Sequence, residues 1–322
     1  MRIFADANYP FLSWRRKAYV ASAALLLFGI GAMIVNTVST GTWLSYGVDF
    51  AGGTMVHVDF AEQVQADQIR AVDPTWQITR FGEPGESEYL IRVPLVQDQL
   101  NDDPAQEVLE ALQGEFGENA LQLIRTEAVS ARVGDELQQR ALLAILISMV
   151  LTLIYLAFRF EWRFGSAATI ATAHDVLLTL GLLAALRMEV SIATVAAFLT
   201  IVGYSLNDTI VVFDRIRENL AKRMRGQSYT EIVDRSINET LPRTILTTGT
   251  TLTTLLALYL FGGAVIRDFA LVLILGIVIG TFSSIFVASP ALAAIEARWP
   301  RDTRKRSARG PTSPRRREPA SV

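Results

Sequence analysis

The sequence predicts a polytopic α-helical membrane protein: six transmembrane helices, with an α+β domain inserted between the first and the second. Three observations lead to this prediction. Hydrophobic residues make up 51% of the 322 residues, and the mean hydropathy is +0.31. Six apolar stretches are long enough to cross a hydrocarbon core, which takes roughly 20 residues. Between the first two, residues 41–139 contain 18 Asp and Glu but only 5 Arg.

The six apolar stretches lie at 18–38, 141–158, 165–186, 191–213, 243–261 and 269–294. The first is longer than the ~7–15 apolar residues of a signal peptide, and no small-residue cleavage site ends it. We therefore expect an uncleaved membrane anchor at this position.

The distribution of Lys and Arg predicts the orientation, because basic residues concentrate in cytoplasmic loops. Most basic residues lie in the N-terminus, the tail and two loops on one side of the membrane. The loops on the other side have only Arg187 and Arg267, together with the acidic domain. Both termini are then cytoplasmic and the acidic domain is extracytoplasmic. The basic clusters follow the even-numbered spans or precede the first: Arg15, Arg16 and Lys17; Arg159 and Arg163; Arg215, Arg217, Lys222, Arg223, Arg225 and Arg235; and Arg304, Lys305, Arg306, Arg309 and Arg315 to Arg317.

These boundaries divide the chain into five parts. They are a cytoplasmic N-terminus at 1–17, a first span at 18–38, an extracytoplasmic domain at 39–139, a five-helix transmembrane domain at 140–298 and a tail at 299–322. The tail is rich in Arg, Ser and Pro, which predicts disorder. A solvated cytoplasmic tail is the favoured interpretation, and contact with anionic membrane lipid is the alternative.

The extracytoplasmic domain has its own pattern of elements. Val56, Val58 and Phe60 alternate with polar residues, as in a half-buried strand. A helix follows at 65–72, and then come strands at 76–81 and 89–93, with turn residues Gly82, Pro84 and Gly85 between them. Asp103 and Pro104 predict the start of a second helix, whose apolar face is Leu109, Leu112 and Phe116, before a strand at 121–129. The order β-α-β-β-α-β predicts a ferredoxin-like arrangement.

A carboxylate interrupts the fourth span in the segment GYSLNDTIVVFDRIREN, residues 203–219. Asp208 lies six residues before Asp214, which puts it about 9 Å deeper in the membrane. A charge at the centre of a span costs about 2.5–3.5 kcal/mol on insertion scales. Arg243, at the start of the fifth span, either snorkels to the surface or meets Asp208. The two together form either a proton switch or a static ion pair, and the pattern leaves both open.

Other polar residues lie in the third, fifth and sixth spans. His174 and Asp175 are adjacent, so their directions differ by about 100° on a helix and the two should not face one target. Burial against neighbouring helices is favoured for them over a proton relay. The threonines of the fifth span either pack by bonding backbone carbonyls or line a hydrated path. Gly276 and Gly280 form a G-x-x-x-G motif, which favours close helix approach.

The composition also excludes several kinds of site. The chain has no cysteine, so disulfides and cysteine metal sites are ruled out. Its two histidines, His57 and His174, are far apart in sequence, so we expect no metal site. We expect no cofactor, no enzymatic activity and no nucleic-acid partner.

Four segments together resemble the SecD/SecF family of bacterial protein-export proteins. They are YGVDFAGGT at 46–54, AHDV at 173–176, the segment at 203–219 quoted above, and LPRTILTT at 241–248. The resemblance extends over essentially residues 1–298, and it implies a multi-pass protein of the bacterial inner membrane.

The resemblance also implies partners and an energy source. Such a chain pairs with SecD in a twelve-span assembly of the RND transporter type. It acts with the SecYEG channel, with YajC as a further candidate partner. It uses the proton-motive force, and therefore protons, to assist late steps of preprotein export on the outer side.

Roles for individual residues follow from the same resemblance. The proton-pathway residues fall on Asp208 and Arg243, and a third carboxylate belongs to SecD. Asp208 is expected to face SecD, with two hydrogen-bonding neighbours. Those neighbours are expected to be Asn207 and Ser205, and Gly203 is expected to be a close-packing position. Gly47, Gly52 and Gly53 are expected to be backbone-conformation residues, and Asp49 a turn or cap residue.

Two alternatives to this function stay open. One is half of a proton-driven RND exporter of small molecules or lipids, which also needs a partner because the chain has only six spans. The other is a passive assembly subunit, for which Asp208→Asn is harmless.

Overall fold

The computed structural model describes residues 7–81, 87–93, 104–159, 161–222 and 226–300. After a 3-10 turn at Phe11–Trp14, ten α-helices, six strands and one π-helical segment follow in this part of the chain. In order they are α1 Arg15–Thr40, β1 Ser45–Tyr46, α2 Val48–Ala51, β2 Gly53–Phe60, α3 Ala66–Val72, β3 Gln77–Phe81, β4 Glu88–Val93, α4 Pro104–Phe116, β5 Leu121–Val129, α5 Ala131–Arg159, α6 Trp162–Leu186, β6 Glu189–Val190, α7 Ile192–Ala221, α8 Tyr229–Phe261, α9 Ala264–Ser283, the π segment Ser284–Ala288 and α10 Ser289–Arg298.

Six helical segments are long and apolar enough to cross a membrane, as the sequence predicts. They are α1 with its preceding turn, α5, α6, α7, α8, and the continuous run from α9 to α10. Each is longer than the apolar stretch that predicts it. The 33 residues of α8 extend about 50 Å, well beyond a hydrocarbon core of about 30 Å. Its first three turns, which contain Glu231, Asp234 and Arg235, are the polar end of the helix.

Four strands within residues 53–129 form an antiparallel sheet in the order β3-β4-β2-β5. Helix α3 lies in the first connection and α4 in the last. The alternation in β2 has the predicted result, since Val56 and Val58 are fully buried. They pack in one apolar cluster with Tyr89 and Ile91 of β4 and Leu112 of α4. This part of the chain therefore has a core of its own.

Some predicted features of this region lie outside the described residues. These are the turn residues Gly82, Pro84 and Gly85, the helix-capping Asp103, Arg223 and Arg225 of a basic loop, and the tail from 301 onward. Helix α4 begins at Pro104, where the helix start is predicted.

Close contacts between small residues tie the membrane helices together. A Cβ atom added at Gly276 would lie 2.1 Å from Ile201 Cδ1, and one at Gly280 would lie 2.8 Å from Ser205 Cβ. The G-x-x-x-G motif therefore lies where α9 packs on α7. Gly29 and Gly181 make the same kind of contact between α1 and α6, since a Cβ at Gly29 would lie 2.6 Å from Gly181 Cα.

The six segments differ in how much of their surface the chain itself covers. Segments α6, α7 and α9–α10 are about half buried, whereas α1, α5 and α8 bury only a small share of their residues. Helices α6, α7 and the last span thus form the interior of the bundle.

Candidate functional site

The Asp208 side chain lies inside the bundle, near the middle of α7. It is 3% exposed, and Thr248 of α8 donates a long hydrogen bond of 3.5 Å from Oγ1 to its Oδ2. The Thr248 hydroxyl also lies 3.0 Å from that of Thr281 on α9. A bond of 3.5 Å is at the weak limit of hydrogen bonding, so the carboxyl group is buried but loosely coordinated.

Arg243 lies on the exposed surface of α8 rather than against Asp208. In the described residues no ion pair joins the two side chains, although the guanidinium is close enough for Coulombic attraction to the carboxylate. Thr244, the next residue, is buried, and its Oγ1 has no hydrogen-bond partner among the described groups. Of the two arrangements that the sequence left open, this structure contains the separated one.

The hydrogen-bonding neighbours expected for Asp208 are wrong. Ser205 is buried, but its hydroxyl donates to Asp175 instead, at 2.5 Å. Asn207 is exposed, because it lies about 100° from Asp208 around α7 and points out of the chain. Gly203 is also exposed, with nothing within 4 Å of an added Cβ, so it mediates no close packing within this chain.

Asp175 is a buried carboxylate that has several hydrogen-bond partners inside the bundle. It is 1% exposed, and its Oδ2 accepts hydrogen bonds from Ser205 of α7 and from Ser283 of α9, the latter at 2.7 Å. Bonds from hydroxyls to a carboxylate at these lengths are charge-assisted and strong. Asp175 thus joins three helices through one carboxylate.

His174 and Asp175, which were expected to be buried against neighbouring helices and not to face one target, contact each other directly. His174 Nδ1 lies 3.0 Å from Asp175 Oδ1, because a rotated imidazole bridges the angle between adjacent residues. Its other ring nitrogen, Nε2, is buried and has no hydrogen-bond partner among the described residues.

A π-helical segment, Ser284–Ala288, immediately follows Ser283. Pro290 cannot donate a backbone hydrogen bond and would clash with the carbonyl four residues earlier in an α-helix, which explains the wider turn. The Ser289 hydroxyl donates instead to the Ser284 carbonyl at 2.9 Å. Segments of this kind often lie at functional sites.

The predicted motif at 46–54 forms the junction of the four-stranded sheet with the bundle. Gly52 and Gly53 have φ angles of 72° and 127°, which only glycine adopts readily. Gly47 has an ordinary φ of −71°, so its role is different: an added Cβ would lie 2.5 Å from Glu189 Oε1. Asp49 accepts a hydrogen bond of 3.0 Å from the backbone N–H of Ile192, the first residue of α7.

Sequence reasoning missed Ser283, Thr281 and the pair Arg92 and Glu189. Ser283 lies three residues after Gly280, so a polar residue on the close-packing face of the last span was the available signal. Nothing local in the sequence connects Arg92 with Glu189, which are 97 positions apart. In the described parts of the chain, no group of three or more His, Asp or Glu residues has an arrangement that could bind a metal ion.

Comparison with known proteins gives one consistent family. The family model described as protein export membrane protein SecD/SecF, C-terminal, matches residues 108–298. Protein translocase subunit SecF of Gemmatimonas aurantiaca is 44% identical over 311 residues, covering 94% of this chain and 91% of that protein. The corresponding subunit of Rhodothermus marinus is 42% identical, with 92% and 96% covered.

A longer relative and its structure match as well. Protein translocase subunit SecDF of Thermus thermophilus is 39% identical over 90% of this chain, which spans 39% of that protein. The crystal structure of SecDF from Thermus thermophilus, a translocon-associated membrane protein, superposes with a TM-score of 0.77 at 37% identity, covering 92% of this chain and 40% of that one. These relatives indicate a role in protein translocation. The chain therefore belongs to the SecD/SecF family of protein-export membrane proteins, among relatives that are SecF subunits.

Proposed function

We propose that this chain works with SecD to use the proton-motive force for late steps of preprotein export through the SecYEG channel. It lies in the bacterial inner membrane with both termini in the cytoplasm. The SecDF relative has both parts in one chain, and this chain matches about 40% of its length, which supports a separate SecD partner here.

The observation that carries the proposal is the state of Asp208. Its carboxyl group is buried in a membrane helix with one long hydrogen bond and no ion pair among the described residues. A fixed charge there would be costly, and a structural carboxylate would be bonded as Asp175 is. Loose coordination suits a group that takes up and releases a proton.

A polar stripe on each of α7 and α8 supports a membrane partner. Exposed Thr200, Gly203 and Asn207 recur at helical spacing on α7, and exposed Arg243 and Thr250 lie at spacing of seven on α8. Polar side chains in a membrane face protein or water rather than lipid. SecD supplies that surface in our proposal, together with a carboxylate for Arg243, and the Gly203 position allows its helix to come close.

The outer domain has the ferredoxin-like arrangement in this proposal. Its element order and its antiparallel sheet order, in which the first strand lies between the third and the fourth, support that assignment. The domain lies outside the membrane, where the preprotein emerges. The basic tail at 299–322 is cytoplasmic in this proposal, and YajC is a further candidate partner.

Two other functions make different predictions. A proton-driven RND exporter half would move small molecules or lipids and would not respond to preprotein. A passive assembly subunit would tolerate Asp208→Asn without loss. The loose coordination of Asp208 argues against the passive subunit, and the similarity to SecF subunits argues against the exporter half.

Preprotein translocation into inverted membrane vesicles tests the proposal. With ATP present, a proton gradient should stimulate export in wild-type vesicles. Asp208→Asn keeps the side-chain shape and removes the titratable group, so this stimulation should vanish while membrane insertion and SecD binding persist. Arg243→Met should behave in the same way, and Asp214→Asn is the matched control, because it makes the same chemical change at an exposed position of the same helix. Full stimulation in the Asp208→Asn vesicles would favour the passive subunit.

A further inference from the structure

The outer domain meets the bundle at the turn between α6 and α7. Strand β1, which follows α1, pairs in parallel with β6 in that turn, with Ser45 opposite Glu189 and Tyr46 opposite Val190. The Gly47 backbone N–H donates to the Val190 carbonyl at 2.8 Å. Because α7 begins two residues after β6 ends, this junction is attached directly to the helix that carries Asp208.

One charged side chain of the outer sheet reaches the same turn. Arg92 of β4 forms an ion pair with Glu189, which we call the Arg92–Glu189 clamp. The guanidinium also donates to the Tyr46 carbonyl at 3.2 Å and to Gln77 Oε1 at 2.9 Å. The Arg92 side chain is 13% exposed and that of Glu189 is 40% exposed, so solvent screens the pair in part, from the Glu189 side. Strand β4 is an inner strand of the sheet, so a displacement of Arg92 displaces the sheet.

The surrounding backbone makes room for this clamp. The Glu189 carboxylate lies against Gly47, in the space that a side chain at position 47 would occupy. Asp49 caps the first N–H of α7 from the same segment. The glycine-rich motif therefore brings together the α7 terminus and the residue that Arg92 contacts.

Beside the clamp, the sheet and the bundle are separated by a cavity of about 390 Å³. Its walls include Met55 and Phe81 of the sheet, and Ala193 and Phe269 from the outer ends of α7 and α9. The open face of the sheet is thus not packed tightly on the helix ends at this place. A discrete contact, rather than a continuous interface, connects them here.

We propose that the Arg92–Glu189 clamp is the contact through which movement of α7 reaches the outer domain. Ile192 and Asp208 are 16 residues apart in one uninterrupted helix, about 24 Å, so the helix transmits a shift as a rigid element. Arg92 and Glu189 are positioning residues in this scheme, since neither touches Asp208. The scheme rests on the proposed function, because Asp208 is the group that moves α7.

A distance measurement tests the clamp without relying on export. The chain has no cysteine, so Asn119→Cys in the outer domain and Leu186→Cys at the end of α6 provide two unique sites for spin labels in the full chain in lipid. We expect Arg92→Glu and Glu189→Arg each to broaden the distance distribution. The double variant, which carries both substitutions and so exchanges the two charges, should restore it. Arg125→Glu is the control, since Arg125 also lines the cavity but pairs with Glu127 of its own strand. Unchanged single variants, or a double exchange that fails to restore the distance, would overturn the clamp.

An export measurement then tests whether the clamp transmits movement of α7 to the outer domain. In inverted vesicles, Arg92→Glu and Glu189→Arg should each lose the gradient-stimulated part of export, and the double exchange should regain it. A purely stabilising contact would lower basal and stimulated export together and would not single out the stimulated part. Single variants with broadened distances but full stimulation would overturn transmission. If wild-type vesicles show no stimulation, the proposed function fails and transmission with it, while the distances still decide whether the clamp exists.

Discussion

Asp175 and Asp208 show how differently two buried carboxyl groups in one bundle are coordinated. Asp175 accepts two short hydrogen bonds from serine hydroxyls and contacts His174, whereas Asp208 has one long bond from Thr248. A group bonded on several sides fixes its neighbours in place, and a group with few bonds is free to change its protonation state. The first is therefore structural in our account and the second functional.

Removing the Asp175 carboxylate should destabilise the bundle. In Asp175→Ala, the acceptor oxygen shared by Ser205 and Ser283 is removed, so two buried hydroxyls lose their partner at a cost of about 1–3 kcal/mol each. We expect a lower thermal unfolding temperature in detergent, with a smaller decrease for Ser283→Ala. Asn207→Ala, at an exposed position, is the control and should leave the unfolding temperature unchanged. Equal stability of Asp175→Ala and wild type would contradict the structural role.

The close contact between helices α7 and α9 depends on two glycines of α9. A valine at Gly276 would place its Cβ within 2.1 Å of Ile201, so either the helices separate or the side chains strain. Overpacking of this kind costs about 1–3 kcal/mol. We expect Gly276→Val to lower the unfolding temperature of the chain.

Gly203→Val provides a matched comparison on the opposite face of α7. Nothing lies within 4 Å of a Cβ at Gly203, so the stability of the isolated chain should not change. If the exposed face of α7 contacts SecD, this variant should instead reduce the amount of SecD that co-purifies. Normal SecD recovery would remove Gly203 from the partner surface.

The transmembrane helices were predictable because hydropathy and length fix them, whereas the side-chain partners were not. Apolar composition leads directly to six spans, and the alternation at Val56 and Val58 leads directly to β2. The partners of Ser205 and Arg243 depend on how each helix is rotated about its axis, and hydropathy does not specify that rotation. The Asp175 bonds to Ser205 and Ser283 also depend on packing between spans that are distant in sequence.

At the scale of the whole molecule, the orientation in the membrane is testable with single cysteines. Asn119 lies in the exposed turn before β5, and Ala221 is exposed at the end of α7. An impermeant maleimide added outside cells, after permeabilisation of the outer membrane, should label Asn119→Cys and not Ala221→Cys. The unmodified chain contains no cysteine and is the background control. Reversed labelling would place the outer domain in the cytoplasm.

The outer domain should also fold without the membrane helices. Residues 53–129 have their own apolar cluster, which includes Ile69, Tyr89 and Val108. We expect this segment alone to give a circular dichroism spectrum with both strand and helix and a cooperative thermal transition. Leu112→Ala, which empties part of the cluster, should lower its free energy of unfolding by about 2–5 kcal/mol. A random-coil spectrum of the unchanged segment would mean that the bundle or SecD is needed for folding.

Proton movement through the assembled complex tests the central claim most directly. The chain, reconstituted with SecD in vesicles that enclose a pH-sensitive dye, should pass protons down an imposed gradient. Asp208→Asn should abolish that flux, because the buried group that accepts the proton is gone, and Asp214→Asn, at an exposed position of the same helix, should retain it. A proton flux through Asp208→Asn vesicles equal to that of wild type would contradict the account.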